Sequence, residues 1–217
     1  MKWKLLDGVP DAEVQRLLAL SRRRRFGRNE VVFHHDDPGD SLHLIGGGRF
    51  AIKIATRLGE TTMIGVRGPG EHFGEMALLS DGPRRAATVV ALEPGETFAV
   101  RRAEFERLRR DQPGFDSVLM RMLADEVRLL DERLLESLYS PAEKRLARRL
   151  EEMAAVYGGD SGEVEIPLTQ QQLAELTGAS RATVSQILRE EEARGTILRR
   201  RGRTVVLDRG QLSRRAR

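Results

Sequence analysis

From Glu30 to Val100 the chain is a series of short apolar runs broken by Gly and Pro. Val31-Val32-Phe33 leads to Pro38-Gly39-Asp40, and Leu42-His43-Leu44-Ile45 leads to Gly46-Gly47-Gly48. Phe50-Ala51-Ile52-Lys53-Ile54 and Thr62-Met63-Ile64-Gly65-Val66 follow. Successive side chains of a strand point to opposite faces, so alternating runs separated by regular turn signals predict an all-β roll or sandwich. Ahead of it, Val14, Leu17, Leu18 and Leu20 suggest a short amphipathic helix.

The pattern changes after Asp111. Pro113-Gly114 is followed by 26 residues, 115–140, with neither Gly nor Pro, which predicts a long helix to about Tyr139. Met120, Leu123, Val127, Leu130 and Leu134 fall 3, 4, 3 and 4 residues apart, the seam of a coiled coil. Leu119, Leu129, Leu135 and Leu138 add a second stripe. One face can therefore dock on its own β-domain while the other pairs with a second chain; docking alone, without a partner, is the plainer reading. Pro141 breaks the helix and predicts a hinge. The chain divides into a β-roll at 1–110, a long helix at 111–139 that could pair with a second copy, and a C-terminal domain at 140–217.

Beyond the break, Glu143–Tyr157 carries Leu146, Leu150 and Met153 on one helical face, Gly158–Gly162 reads as a loop, and Glu163–Ile166 as a short strand. Thr169 then caps a helix that Gly178 ends, and Ser180 caps the next, Arg181–Glu190. Two short helices joined by a glycine-containing turn fit a helix-turn-helix, with Leu173, Ala174, Val184 and Leu188 as its core. Thr196–Leu207 reads as two strands around an arginine-rich turn, a wing whose Arg200 and Arg201 would lie along phosphates. Arg181 can address a guanine edge bidentately, and Gln186, further along the helix, an adenine edge. Thr169, Gln170, Gln171, Ser180 and Thr183 sit at helix starts, where amides and hydroxyls meet phosphate oxygens. Ala182 and Ser185 complete the DNA-facing set, and alanine can only touch a thymine methyl.

Charge supports this division. The formal net charge is +4, and Met1–Tyr139 is balanced at 22 basic and 22 acidic residues, whereas Ser140–Arg217 has 15 against 11. The excess lies where a polyanion is expected. Of the 37 basic residues 33 are arginine, and the run Arg22–Arg25 reads as a solvated helix end rather than a binding patch. Cysteine is absent, which excludes disulfides and sulfur-ligated metals, and the four histidines show no metal-ligand spacing, so no metal is expected. No nucleophile–base pair or nucleotide loop points to an enzyme. Met1–Pro10 lacks the features of a secretory signal and no run approaches a membrane span, so a soluble, cytoplasmic protein without a membrane partner is expected.

The order β-roll, long helix, winged helix-turn-helix, with Gly178-Ala179-Ser180-Arg181-Ala182-Thr183-Val184, resembles the cyclic-AMP receptor protein and FNR-type (CRP/FNR) regulators from about Leu5 to Val206. A second anchor is Phe73-Gly74-Glu75-Met76-Ala77-Leu78-Leu79 with Pro83-Arg84-Arg85-Ala86-Ala87-Thr88-Val89, similar to the phosphate-binding cassette of cyclic-nucleotide sensors. The resemblance implies an α+β protein: an N-terminal double-stranded β-helix (jelly roll), a dimerisation helix and a winged helix-turn-helix. It implies a homodimer on palindromic double-stranded DNA, RNA polymerase as a partner, and a cyclic nucleotide, cyclic AMP first, as effector.

Within the cassette, Gly74 allows a tight turn and close backbone approach, and the segment opening at Glu75 offers amides to an anion. Arg85 would neutralise the phosphate and Glu75 would accept from the ribose 2′-hydroxyl, with Met76, Ala77 and Ala86 beside them. Arg84 competes for the phosphate; Arg85 is preferred because it precedes Ala86-Ala87-Thr88 as in the family motif. Leu130 and Asp131 occupy the positions where cyclic-AMP-responsive members place hydroxyls against the adenine, and a leucine cannot hydrogen-bond, so the base identity is open. A ligand-independent regulator or one sensing a cyclic dinucleotide stays possible on these residues, as does a regulatory subunit sharing only the cassette. The family often carries glutamate at Ala182 and arginine at Gln186, so the half-site read here should differ.

Overall fold

The computed structural model describes residues 1–55, 61–80, 82, 84–158 and 162–216. Pro83 of the cassette and residues 159–161 of the expected loop lie outside the described residues. Internal packing divides the chain into two units, Met1–Arg128 and Leu129–Arg217.

The first unit is a β-roll flanked by helices. It contains α1 (Asp11–Leu20), β1 (Arg22–Phe26), β2 (Val31–Phe33), β3 (Ser41–Gly47), β4 (Phe50–Ala55), β5 (Thr61–Arg67), β6 (His72–Phe73), α2 (Met76–Leu79), β7 (Thr88–Ala91), β8 (Gly95–Arg101), α3 (Arg102–Asp111) and the start of α4 (Phe115–Tyr139). Two four-stranded antiparallel sheets have the orders β1-β8-β3-β6 and β2-β7-β4-β5. Alternation decides what each face buries. Ile45, Phe50, Phe73, Val89 and Ala91 share one apolar cluster, while Leu42 and Leu44 join Trp3, Leu17, Phe105, Leu108 and Phe115 in another. β3 is thus covered on both sides, which explains why Ser41–Ile45 is buried without interruption. Each such leucine contributes roughly 1.5–3 kcal/mol. The Trp3 indole N–H donates to the Ile45 carbonyl at 2.9 Å.

The run Arg22–Arg25 is not a helix end. It forms edge strand β1, paired antiparallel with β8 so that Arg23 lies opposite Phe98 and Phe26 opposite Gly95. Phe26 is buried, and Arg23 makes a bidentate pair with Glu96 at 2.6–3.1 Å. Exposed pairs of this kind contribute little stability, but cations along an open edge deter pairing with another strand. The strand was hidden because only one of its five residues is apolar.

The second unit opens with Leu129–Tyr139 of α4, so the expected break at Pro141 falls inside it rather than at its boundary. It continues with α5 (Ala142–Gly158), β9 (Val164–Ile166), α6 (Gln170–Thr177), α7 (Arg181–Ala193), β10 (Ile197–Arg200), β11 (Arg203–Val206) and α8 (Arg209–Ala216). Gly158 ends α5 rather than opening a loop; a Cβ there would come within 2.3 Å of Val164. The three strands form one antiparallel sheet, β10-β11-β9. Leu146, Leu150, Leu173, Val184 and Leu188 are all buried to 1% exposure or less, as the helical spacing predicted.

Along α4, Met120, Val127 and Leu134 are 63%, 57% and 58% exposed in the single chain, with Leu130 and Leu138 also exposed. Leu119 is buried against its own unit. Of the second stripe only the start is covered at home: Leu129 is half-buried, and Leu135 and Leu138 are 57% and 64% exposed. No helix among the described residues is long and apolar enough to cross a membrane.

Candidate nucleic-acid interface and nucleotide site

The helix-turn-helix is set by local chemistry. The Thr169 hydroxyl accepts from the Gln172 N–H at 3.2 Å, and the Gln172 side chain returns a bond from the Thr169 N–H at 2.8 Å, a reciprocal capping box. Gly178 closes α6 in the left-handed conformation (φ 65°, ψ 42°), which costs a glycine little. Ser180 then accepts from the Thr183 N–H at 3.0 Å and starts α7. Arg145 of α5 fastens the turn, donating to the carbonyls of Thr177 at 3.1 Å and Gly178 at 3.2 Å. A cation on the last carbonyls of a helix is favoured by their partial negative charge.

These caps turn one face of α7 outward. Arg181, Ala182, Thr183, Gln186 and Arg189 are exposed and Ser185 is half-buried. Positions 181, 182, 185, 186 and 189 lie on a single helical face. Arg189 belongs to that face and was not singled out in the sequence; its spacing of four from Ser185 would have found it. At the start of α6, Thr169 and Gln171 are exposed and Gln170 is half-buried. The wing turns at Gly202 (φ 76°) and leaves Arg200, Arg201 and Arg203 exposed. Arg203 pairs with Glu165 at 2.9 Å, and the Gln186 amide donates to Glu190 at 3.2 Å. Among the described residues Arg181, Arg189, Arg200 and Arg201 have no carboxylate partner.

In the β-roll, Arg85 contrasts with that surface by its burial, at 4% exposure. Its guanidinium donates to the Ser41 carbonyl at 2.5 Å, the Gly74 carbonyl at 3.3 Å and the Ser41 hydroxyl at 3.2 Å. It lies 4.1 Å from the centroid of the Phe33 ring. Asp40 stands 3.9 Å away and is largely exposed, a weak counter-charge. Burial draws the Arg85 pKa down from its ordinary value, with Asp40 and Asp37 opposing; guanidinium stays charged. Its Nε is buried and lacks a hydrogen-bond partner among the described residues. Gly74 has φ 89°, and a Cβ there would come within 2.8 Å of the Arg85 guanidinium, so this position favours glycine twice over.

The other cassette residues take distinct places. Glu75 is half-buried, precedes α2, and lies 3.8 Å from His72. Met76 and Ala86 are exposed, whereas Ala77 is buried and its carbonyl accepts from Arg102 at 2.6 Å. Arg84 is exposed and donates to the Asp36 carbonyl at 2.8 Å. Leu130 and Asp131 are exposed on the part of α4 that belongs to the second unit. Arg67 and Glu126, which no sequence signal marked, pair at 2.8 Å within the first unit.

Beneath the cassette His43 is stacked on Phe73, with centroids 5.0 Å apart, and its Nδ1 is 2.9 Å from the Thr97 hydroxyl. Burial, then the cations Arg85 and Arg24, push its pKa down to about 3, so it is neutral in ordinary buffers. No group of three or more histidine and carboxylate residues suited to a metal occurs among the described residues.

The geometry defines a class: a β-roll with a buried arginine beside Gly74, followed along the chain by a winged helix-turn-helix. The family description "Cyclic nucleotide-binding domain" matches residues 23–112, and "Crp-like helix-turn-helix domain" matches 144–215. The CRP-like cAMP-activated global transcriptional regulator of Mycobacterium tuberculosis is 30% identical over 98% of this chain and 96% of its own length. The catabolite activator protein of Thermus thermophilus is 29% identical over 98% of each chain, with a TM-score of 0.56. The c-di-GMP-responsive global regulator CLP of Xanthomonas campestris shares the fold at TM-score 0.78 and 21% identity, over 92% of this chain and all of that one. The chain belongs to the CRP/FNR family of transcription regulators. Membership implies DNA binding and dimer formation.

Proposed function

We propose that the chain is a homodimeric, sequence-specific DNA-binding regulator controlled by a cyclic nucleotide in the β-roll, with cyclic AMP as the first ligand. The observation that carries the DNA half is the exposed face of α7, where Arg181 and Gln186 stand among arginines lacking carboxylate partners. Arg181 reads a guanine and Gln186 an adenine, while Thr169, Gln170, Gln171, Ser180, Thr183, Arg200 and Arg201 hold phosphates. The open stripe of α4 joins two copies, so their recognition helices meet successive major grooves about 34 Å apart.

The effector half rests on Arg85 and Gly74. A buried guanidinium with an unpaired Nε suits one compact anion, and the cyclic phosphate would supply the missing acceptor. Glu75 holds the ribose hydroxyl, beside Met76, Ala77 and Ala86. Where the family sets its base-contacting hydroxyls this chain has Leu130 and Asp131. That difference, with the c-di-GMP-responsive relative of the same fold, favours a cyclic dinucleotide as the second reading.

Titration calorimetry with cyclic AMP, cyclic GMP and c-di-GMP separates these ligands. Affinity for a palindromic duplex at fixed salt should rise at least about tenfold with the correct one. Equal affinities with and without every ligand would remove effector control and leave DNA binding standing. Sedimentation as a monomer in the presence of duplex would remove the dimer.

A further inference from the structure

The chain does not end at the wing. Asp208 caps α8 by accepting from the Gln211 N–H at 2.8 Å, and the helix buries Leu212 and Ala216. Two sets of contacts tie it to the recognition helix and to the turn that follows that helix. At its start, the carbonyl of Thr196, fully buried just past α7, accepts from the N–H groups of Leu207 at 2.9 Å and Asp208 at 3.2 Å, and the Thr196 hydroxyl meets the Gln211 side chain at 3.1 Å. At its far end, Arg215 reaches Glu191 Oε1 at 3.1 Å.

Glu191 lies on the buried side of α7, one turn from Ile187, and is 4% exposed. Its Oε1 also meets Arg194 at 2.8 Å, and its Oε2 has no hydrogen-bond partner among the described residues. A carboxylate so buried depends on its cations, because an uncompensated internal charge is costly. The same α8 is fixed from behind. The Ser213 hydroxyl donates to Glu151, and Arg148 donates from Nε to the Ala216 carbonyl at 2.5 Å and from Nη1 to Glu136 of α4 at 2.7 Å. Burial tends to raise the Glu136 pKa, but Arg148 and Arg149 outweigh it and hold the carboxyl below its ordinary value.

We infer that α8 is a strap that positions the recognition helix, with Arg215 acting through Glu191 and Arg148 anchoring the strap to α5 and α4. The physical consequence is selective. Phosphate contacts come from several flexible exposed side chains and tolerate a small shift of α7, whereas a bidentate base contact does not. Loss of Arg215 should therefore reduce discrimination between sequences more than affinity for DNA as such. Removing one positive charge weakens binding to every duplex alike, so the ratio of affinities isolates the positioning effect.

This inference rests on the DNA-binding reading. Full-length protein first selects a duplex from a random-sequence pool, with and without cyclic AMP. Wild type, Arg215→Ala, Arg215→Lys and Glu191→Gln are then compared on that duplex and on a scrambled one of equal length at fixed salt. The expected result is an affinity ratio at least tenfold lower for Arg215→Ala and Glu191→Gln, scrambled-duplex affinity within threefold of wild type, and most of the ratio restored in Arg215→Lys. If Arg215→Ala does not fold, Glu191→Gln decides, since it keeps the side-chain volume and removes only the charge. Ratios within twofold of wild type in the folded variants overturn the strap. Failure of wild type to select any duplex overturns the DNA-binding reading as well, and shows itself before any variant is measured.

Discussion

Arg85 and Arg181 carry the same guanidinium into opposite surroundings. Arg85 is buried, stacked on Phe33, and already bonded to the Ser41 and Gly74 carbonyls. Arg181 stands exposed in the first turn of α7 with no carboxylate partner among the described residues. A buried cation in fixed geometry suits one small anion and is hardly screened by salt, whereas an exposed cation among others suits a long polyanion and is screened strongly. Under the proposed function, the contrast separates a site that measures the presence of a molecule from a surface that surveys a polymer.

Salt tests that separation most severely. If the dimer neutralises six or more phosphates, its affinity for duplex should fall about a thousandfold between 50 and 200 mM salt. Nucleotide affinity at the Arg85 site should change by less than about threefold over the same range. Filter binding and calorimetry on one preparation give both slopes, and parallel slopes would erase the distinction. Next in size, Arg85→Ala should weaken cyclic-nucleotide binding about a hundredfold, the scale of a lost charge-assisted pair. DNA affinity without nucleotide should stay within about twofold, and undiminished nucleotide binding would transfer the phosphate to Arg84. Arg181→Ala should cost about 1–3 kcal/mol at one base position of each half-site and relax discrimination there. An unaltered preference in a selection experiment would remove Arg181 from base readout.

The two regions also differ in how far they could be read from sequence. The helix-turn-helix is organised by neighbours: Thr169 with Gln172, Ser180 with Thr183 and Gly178 at the turn lie within a few residues of their partners. Its geometry was therefore visible in spacing alone. The β-roll site is assembled across the chain, and the bonds from Arg85 to Ser41 span 44 residues. The motif named Arg85, but not its burial or its bonds to backbone carbonyls. Elements with few apolar residues escaped for another reason. β1 has only Phe26, α3 buries only Phe105 and Leu108, and α8 only Leu212 and Ala216, so periodicity had little to register. In β1 and α8 arginines are held by partners distant in sequence, as Arg23 is by Glu96 and Arg215 by Glu191.

The smallest expected effect links the buried cation to acid stability. His43 has a folded-state pKa of about 3, below its unfolded value of 6.5, owing first to burial and then to Arg85 and Arg24. Between those values the unfolded chain binds the extra proton, so stability is complete above pH 6.5 and declines as pH falls, by about 1.4 kcal/mol per unit at most from this group. His72 is also held down, by burial first, and adds a loss of the same sign. Comparing His43→Gln with wild type in urea unfolding at pH 7.0 and 5.5 isolates the His43 share, and the variant should lose about 1 kcal/mol less over that interval. Equal losses would mean that His43 does not titrate on unfolding in this range. A bound anion sharpens the test. A phosphate on Arg85 offsets one of the cations that depress the His43 pKa, but burial, the larger cause, remains, so the folded imidazole stays neutral between pH 7.0 and 5.5 and nucleotide should leave the difference between wild type and His43→Gln unchanged over that interval.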